Sequence, residues 1–449
     1  MDLSHVKFGT DRHITYKDYE NMFSNNEDAW LKLRKLNNIG THPLLAIALP
    51  REVAILYSDM AFSTPINAFA KDNEEADKAL DDIIENNSLD MMLSEASLST
   101  AYKGGVVFKN YLDEGVSKIS YVEPDFYFPK FSKFDKRKIE LETLAFPFVE
   151  NKREYVFTET YEKRNGEYWV TTATYLFKSN KIEKLVGEST SINTKLTESP
   201  LTYVPLIRNG SNFWGDSMYK ALTPLFDSLN HRVTQIADIL DRHSDPNMYA
   251  DPSFFEDDGN FESGGKAYPV DHGKGEKPPG YITWEWSADA NFKFIEDIIF
   301  KALSYVSPLA PALYGLDNTS QASGRALLLK SWRTQCMVTR SHTYWREALK
   351  KILYKAQQLQ VIAGNGKYTP AIPNVELKLN IPTDFYEMAQ SEQLKVTSKT
   401  SSIKSSISRL NPHYTSKQVE EEFLEIINEQ NEINNLTFMT DPTQPTGGT

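Results

Sequence analysis

Cysteine is nearly absent. The 449-residue chain has one, Cys336, which excludes an intramolecular disulfide and any cysteine-based zinc cluster. Long apolar runs are missing too, since no stretch approaches the roughly 20 apolar residues of a membrane helix. The start, Met1-Asp2-Leu3-Ser4-His5, has neither a basic nor an apolar segment, so a secretory leader is not expected. Histidine is sparse: none of the eight pairs with another at metal-ligand spacing on one helix face, which removes HExxH-type sites. Positive charge is short as well. Lys plus Arg number 49 against 61 Asp plus Glu, a formal charge of −12. That balance excludes a protein gripping nucleic acid with its whole surface, but not one that surrounds nucleic acid without gripping it.

What is present describes a folded chain of two to four structural units, with 40% hydrophobic and 24% charged residues. The first hundred residues read as helical. Tyr16 to Leu36 carries Tyr19, Met22, Phe23, Trp30, Leu31 and Leu33, and Asn73 to Leu98 repeats apolar residues from Leu80 to Leu93 at helical intervals. From Gly104-Gly105 the chain turns β-branched and aromatic, which predicts an antiparallel meander over about 105–206 with Arg164-Asn165-Gly166 as a hairpin turn. Helical spacing returns after Asn209. Met218, Leu222, Leu225, Leu229, Val233, Ile236 and Leu240 fall on one stripe opposite Asp227, His231, Asp238 and Arg242. A second amphipathic helix spans about Ala290 to Val306. Between them, residues 244–289 hold ten acidic residues against three lysines, with six of the 21 glycines and five of the 22 prolines. That insert carries −7 of the −12 and forbids long helices.

After an irregular run, a long helix is predicted over Gly324 to Ile362, with Leu327, Val338, Trp345, Ile352 and Leu359 on its apolar face. Lys330, Arg333, Arg340, Lys351 and Lys355 form a basic face, and Gly364-Asn365-Gly366 closes the helix. A last helical section follows Pro382, with Thr415-x-x-Gln418 as a capping box. The tail from Asn434 reads as disordered.

No catalytic pattern is complete. Gly259 to Ala267 imitates a phosphate-binding loop, but its lysine comes one residue late and Ala267 stands where a hydroxyl would hold magnesium. Asp257-Asp258 beside Asn260 lacks calcium-loop spacing, so a solvated charge cluster is the reading. No GxSxG elbow occurs. Cys336 reads as a buried thiol within the long helix. The basic face invites nucleic acid, or else pairs with acidic groups of the protein itself. Aromatic residues do not interleave with it as a single-strand platform requires.

The order of segments resembles the portal proteins of tailed bacteriophages. Three stretches carry the resemblance. Asn209-Gly210-Ser211-Asn212-Phe213-Trp214-Gly215-Asp216-Ser217 followed by Leu225-Phe226-Asp227-Ser228-Leu229-Asn230 is similar to the family's approach to its first stem helix. Ser323-Gly324-Arg325-Ala326-Leu327 resembles the opening of its long helix, and Ser401 to Glu429, with Ile407-Ser408 before an acidic helix, resembles its C-terminal pattern. Residues 1–208 carry no matching motif, and Lys399 to Ile403 lacks the family's glycine.

The resemblance implies an α+β portal-type fold. Residues 1–217 would be a wing of helices then a β meander, 218–243 and 289–307 two stem helices, and 244–288 a β/loop clip insert. Residues 308–322 would be a tunnel loop, 323–382 the long central helix and its return within the wing, 383–433 a helical crown and 434–449 a disordered tail. It implies a homo-oligomeric ring, usually twelve-membered, at one capsid vertex of the virion, assembled in the host cytoplasm. Double-stranded DNA would be packaged and ejected through it. Further implied partners are the terminase large subunit, a head-completion adaptor, and the major capsid and scaffolding proteins. No catalysis, cofactor, metal or membrane is expected.

The stem's polar face would be Asp227, His231, Asp238, Glu296 and Lys301, and the clip's docking residues Phe254, Phe255, Asp257, Asp258 and Phe261. The DNA-facing tunnel loop would present uncharged Leu309, Ala310, Pro311, Ala312 and Leu313, then polar Asp317, Asn318, Thr319, Ser320 and Gln321. In such a twelve-membered ring the charge of −12 per chain would become about −144, which would keep DNA off the walls. Two other classes stay open at this point: a nucleic-acid enzyme using the basic helix, and a different head–tail connector component.

Overall fold

Elements form where the apolar positions of a segment find a common side to bury. The computed structural model describes residues 3–26, 30, 45–71, 73–135, 137–210, 212–244, 248–252, 267–270, 280–281, 292–306, 329, 331–380, 385–411 and 414–439. The chain divides into two compact units: Met1–Asp317 with Ser331–Asn380, and Asn318–Lys330 with Ile381–Thr449.

The first unit opens with α1 (Asp11–Phe23). Asn25, at φ 51°, turns the chain out of the helix, and its Oδ1 accepts the indole N–H of buried Trp30 at 3.0 Å. The helix expected to reach Leu36 therefore ends at Phe23, while residues 31–44 lie outside the described ones. Next come α2 (Leu49–Phe62), β1 (Asn67–Phe69), α3 (Glu74–Asn86) and α4 (Leu89–Lys103). The apolar repeat of residues 73–98 had implied one helix. It is broken at Asn87-Ser88, where Ser88 takes φ 46° and buried Asn87 donates to Ile83 O at 2.8 Å while accepting the Ile119 N–H at 2.8 Å. Tying the end of α3 to a strand is worth more here than continuing the helix.

The β region is two sheets rather than one meander. β2 (Gly105–Asp113), β3 (Val116–Val122) and β9 (Leu201–Pro205) form an antiparallel sheet in the order β3-β2-β9. Between them, β4 (Tyr127–Phe131), β5 (Ile139–Glu150), β6 (Arg153–Arg164), β7 (Glu167–Lys178) and β8 (Lys181–Asn193) make the true meander. Arg164 pairs with Glu167 across Asn165 (φ 51°) and Gly166 (φ 92°), the two-residue turn the sequence predicts. β9 leaves the meander and pairs antiparallel with β2, where Leu201 and Val204 are buried on opposite faces of the strand, each in a different apolar cluster.

A short 3-10 turn then leads into α5 (Thr223–Ser244). The described residues of the insert form a small sheet, β10 (Met248–Ala250) between parallel β11 (Ala267–Pro269) and antiparallel β12 (Gly280–Tyr281). The chain returns through a π-helical segment, Phe294–Phe300, and α6 (Lys301–Val306). The α-periodic reading of residues 290–306 is thus corrected over seven residues.

The unit's organising element is α7 (Trp332–Ile362), about 46 Å long at 1.5 Å per residue. Val338, Trp345, Ile352 and Leu359 are all buried, as their spacing predicts. Trp345 packs edge-on against Phe62 (4.7 Å) and Phe108 (5.9 Å) and donates its indole N–H to Tyr57 Oη at 3.2 Å. Burying roughly 200 Å² of indole at ~25 cal/mol per Å² contributes about 5 kcal/mol. The helix closes as expected: Gly364 at φ 82° donates to Val361 O (3.0 Å) and Asn365 N donates to Gln360 O (3.0 Å). β13 (Asn374–Glu376) then pairs with β1.

The second unit holds α8 (Phe385–Thr397), α9 (Ile403–Leu410) and α10 (Ser416–Met439). Buried Glu392 of α8 accepts from Arg409 Nη2 (2.6 Å), Lys395 Nζ (2.7 Å) and Ser406 Oγ (2.7 Å), and these donors, Arg409 foremost, hold its carboxyl well below the usual range. The capping box is complete, with Thr415 N donating to Gln418 Oε1 (2.8 Å) and Gln418 N to Thr415 Oγ1 (3.3 Å). α10 runs to Met439, so residues 434–439 are helical where disorder was expected; residues 440–449 lie outside the described ones.

Candidate functional site

The helices flanking the insert are positioned by the glycine-containing stretch before them. Gly215 N donates to Tyr203 Oη at 2.9 Å and Asp216 N to Ile207 O at 2.8 Å, folding residues 206–216 back on themselves. Ser217 Oγ then donates to Tyr102 O (2.6 Å) and accepts the Tyr219 N–H (3.0 Å), fixing where the helical turn begins. Phe213 and Trp214 pack with Tyr127 and Tyr203, and the Arg12 guanidinium lies 3.8 Å over the Trp214 ring.

Leu222 just before α5 and Phe226, Leu229 and Ile236 within it are buried, whereas Leu240 at the end of the predicted stripe is exposed. Two polar residues are buried among them. Asn230 Oδ1 accepts the Ile47 N–H (2.9 Å), and Thr234 Oγ1 accepts the Leu45 N–H (3.1 Å) while donating to Asn230 O (2.8 Å). The asparagine that ends the Leu225–Asn230 motif thus anchors a segment far away in sequence, a role its periodicity did not reveal.

Asp227 and His231 are four residues apart and share a face of α5, both partly buried. Burial pushes the Asp227 carboxyl up to about 6. Burial and the neighbouring Arg232 hold the His231 imidazole below its ordinary value. Asp238, further along α5, is also partly buried. On the return segment Glu296 is exposed, and Lys301 donates to Asp297 Oδ1 at 2.6 Å within one turn. Arg232 links the two helices by placing its guanidinium 4.9 Å over Phe294, beside buried Ile295 and Ile299. The arrangement offers carboxylates and an exposed ion pair, Lys301 with Asp297. Such a face solvates itself and repels phosphates.

The basic face of α7 is smaller than predicted. Arg333, Arg340 and Lys351 are exposed, and Lys330 lies outside the described residues. Lys355 is buried and donates to Ser199 O (2.8 Å) and Leu201 O (3.3 Å), so it does not belong to that face. Its position is about 40° around the helix from Arg333 at 100° per residue. That angle is exposed early in α7 but covered where the helix meets β9. Burial pushes its ammonium down to about 7, against the pull of Glu142 and Glu198. Cys336 corrects its reading in the opposite sense: it is exposed, on the polar side near Arg333 and Arg340.

Beside Lys355 opens a cleft of about 270 Å³. Buried Glu142 on its floor accepts from Tyr127 Oη at 2.6 Å and from Ser199 Oγ, and burial raises its carboxyl above the ordinary range. Arg137 and Arg208 complete the cleft from two connections. Sequence reasoning missed both, because an isolated arginine after a strand carries no periodic signal. Phe254, Phe255, Asp257, Asp258 and Phe261 of the insert, and Leu309 through Gln321 of the loop, lie outside the described residues. Among the described residues no three His, Cys, Asp or Glu side chains converge as metal ligands would.

The family described as phage portal protein, SPP1 Gp6-like, matches residues 19–435. No curated protein matches. Solved structures that the chain matches include one described as "Neck of native GTA particle computed with C12 symmetry", at 11% identity and a TM-score of 0.48, covering 90% of this chain and 94% of that one. A second, "Virion of native gene transfer agent (GTA) particle", has 10% identity and a TM-score of 0.46, with 88% and 99% covered. A third, "Neck of empty GTA particle computed with C6 symmetry", has 12% identity and a TM-score of 0.48, with 85% and 93% covered.

Proposed function

The chain belongs to the SPP1 Gp6-like phage portal protein family, and from that premise we propose that it assembles as a ring at one capsid vertex of the virion and conducts double-stranded DNA during packaging and ejection. The observation that carries the reading is the family match, which spans residues 19–435 and so includes α5, the insert, the return segment, α7 and most of the C-terminal helices. The reading is of a structural, non-enzymatic protein.

In this reading α5 and the Phe294–Val306 segment form the stem, with Asp227, His231, Asp238, Glu296 and Lys301 on its polar face. The insert, with Phe254, Phe255 and Phe261 beside Asp257 and Asp258, docks the packaging motor and later the head-completion adaptor, as aromatic anchors within a charged rim. Residues 308–322 lie nearest the DNA, uncharged at Leu309 to Leu313. An acidic conduit suits the task because each phosphate contact adds salt-dependent affinity and therefore friction.

Electron microscopy of the purified full chain tests this. Rings with a central hole are expected, and monomers under all salt and concentration conditions would overturn the reading. Deleting 312–321 should leave the ring intact while impairing packaging or retention of DNA; loss of the ring on that deletion would overturn the placement of the loop.

A further inference from the structure

We infer that the cleft bounded by the β4–β5 connection, the segment after β9 and α7 receives an acidic side chain from a second copy of this chain. The cleft gathers Arg137, Arg208, Lys351 and Lys355 against two carboxylates, Glu142 and Glu198. Two of these six groups are occupied at the floor. Lys355 directs its N–H donors to Ser199 O, Leu201 O and Thr202 Oγ1, and Glu142 is held by Tyr127 and Ser199. Around the opening that leaves three cations and one carboxylate.

Both arginines line the cleft with donors that a planar anion could accept. The Arg208 Cζ lies 5.1 Å from the centre of the Phe213 ring, and its Nε is buried without an acceptor among the described residues. Arg137 donates from Nη2 to Gly210 O at 2.6 Å, which fixes the guanidinium and leaves its other N–H groups. Glu142 and Glu198 attract Lys355 more than Lys351 repels it, whereas Arg137 repels Arg208, so the like-charged pair left facing the recess is that of the two arginines. Such a grouping is costly unless an anion sits among its members. A carboxylate matches the arginine fork with two parallel hydrogen bonds.

Size and charge select the occupant. A recess of about 270 Å³ admits one side chain, whereas a DNA duplex, with a major groove alone about 12 Å wide, could touch only its rim. The chain's surplus of carboxylates, 61 against 49 basic residues, supplies complementary groups on any neighbouring copy. The inference rests on the ring reading above.

The test uses the full chain and the double variant Arg137→Gln/Arg208→Gln. Sedimentation velocity over a concentration series should show assembly weakened about tenfold or more, the loss of one charge-assisted fork, while the monomer melts at the wild-type temperature or above. Carbodiimide treatment of mixed isotopically light and heavy wild-type copies should join Lys351 to an Asp or Glu of the other copy. Undiminished assembly of the variant without that inter-copy product overturns the inference. Unchanged assembly with a phosphate-induced rise in melting temperature that the variant loses assigns the cleft to a free anion and also overturns it. Protection of Lys351 by a short duplex, again with unchanged assembly, assigns it to DNA and does the same. Wild-type protein that stays monomeric overturns the ring reading itself, and the second-copy occupant with it.

Discussion

Gly104 and Gly215 meet backbone to backbone. A Cβ on Gly104 would stand 2.5 Å from the Gly215 carbonyl oxygen, and Gly104 itself takes φ 82° at the end of α4. Gly104 O also accepts the Leu206 N–H at 2.9 Å. The crossing locks the last helix before the sheets to the connection that leads into α5.

Gly215→Ala is therefore expected to destabilise the fold by about 2–3 kcal/mol, since backbone on both sides must move to admit a methyl group. Urea unfolding measures it. A variant within about 0.5 kcal/mol of wild type, the range of ordinary surface substitutions, would show that the crossing can relax.

Asn230→Ala removes the acceptor of the Ile47 N–H. An unsatisfied amide costs about 1–3 kcal/mol, and hydrogen exchange at Leu45 to Ile47 should speed up while α7 is unaffected. Asn230→Asp keeps the acceptor and should retain more of the protection.

His342 reports on pH. Its ring is buried, its Nε2 lies 3.1 Å from Ala61 O, and burial, helped by Arg346, pushes its pKa down from 6.5 to about 4. Between those values the unfolded chain binds a proton that the folded chain refuses, so stability falls as pH drops from 6.5 to 4, by about 3 kcal/mol over the window. His342→Gln retains an N–H donor without the titration. Its urea midpoint should depend less on pH over this window, and an unchanged slope would count against the assignment.

Asp227 acts in the other direction. Its folded pKa of about 6 lies above the ordinary 3.8, so the folded chain holds a proton that the unfolded chain has released, and the stabilisation is lost as pH rises through 6. Asp227→Asn should raise the melting temperature of the unassembled chain at pH 8 more than at pH 4. Equal shifts at both values would show that the carboxyl is not desolvated.

Local features were legible wherever neighbours in sequence settle the matter. The Asn165-Gly166 turn, the Thr415–Gln418 capping box and the Gly364 helix closure need only a few consecutive residues, and each forms as its residue types require. The buried face of α7 was legible for a related reason, since Val338, Trp345, Ile352 and Leu359 repeat with the helix. The candidate site was less legible. Lys355 has the spacing of an exposed lysine, and only the sheet covering that end of α7 buries it. Arg137 and Arg208 are 71 positions apart and converge through a cleft that no sequence interval encodes.

By itself the sequence determined the charge balance, the order of helices and insert, the turn and cap chemistry and the resemblance carried by three motifs, because composition and short-range periodicity are properties of the chain. Only the tertiary structure decided that β9 abandons the meander for β2, that one periodic stretch breaks at Ser88, and that four cations share a recess. Each of these depends on which distant surface covers a residue, and burial is what changes the energy of a lysine, a carboxylate or a strand edge.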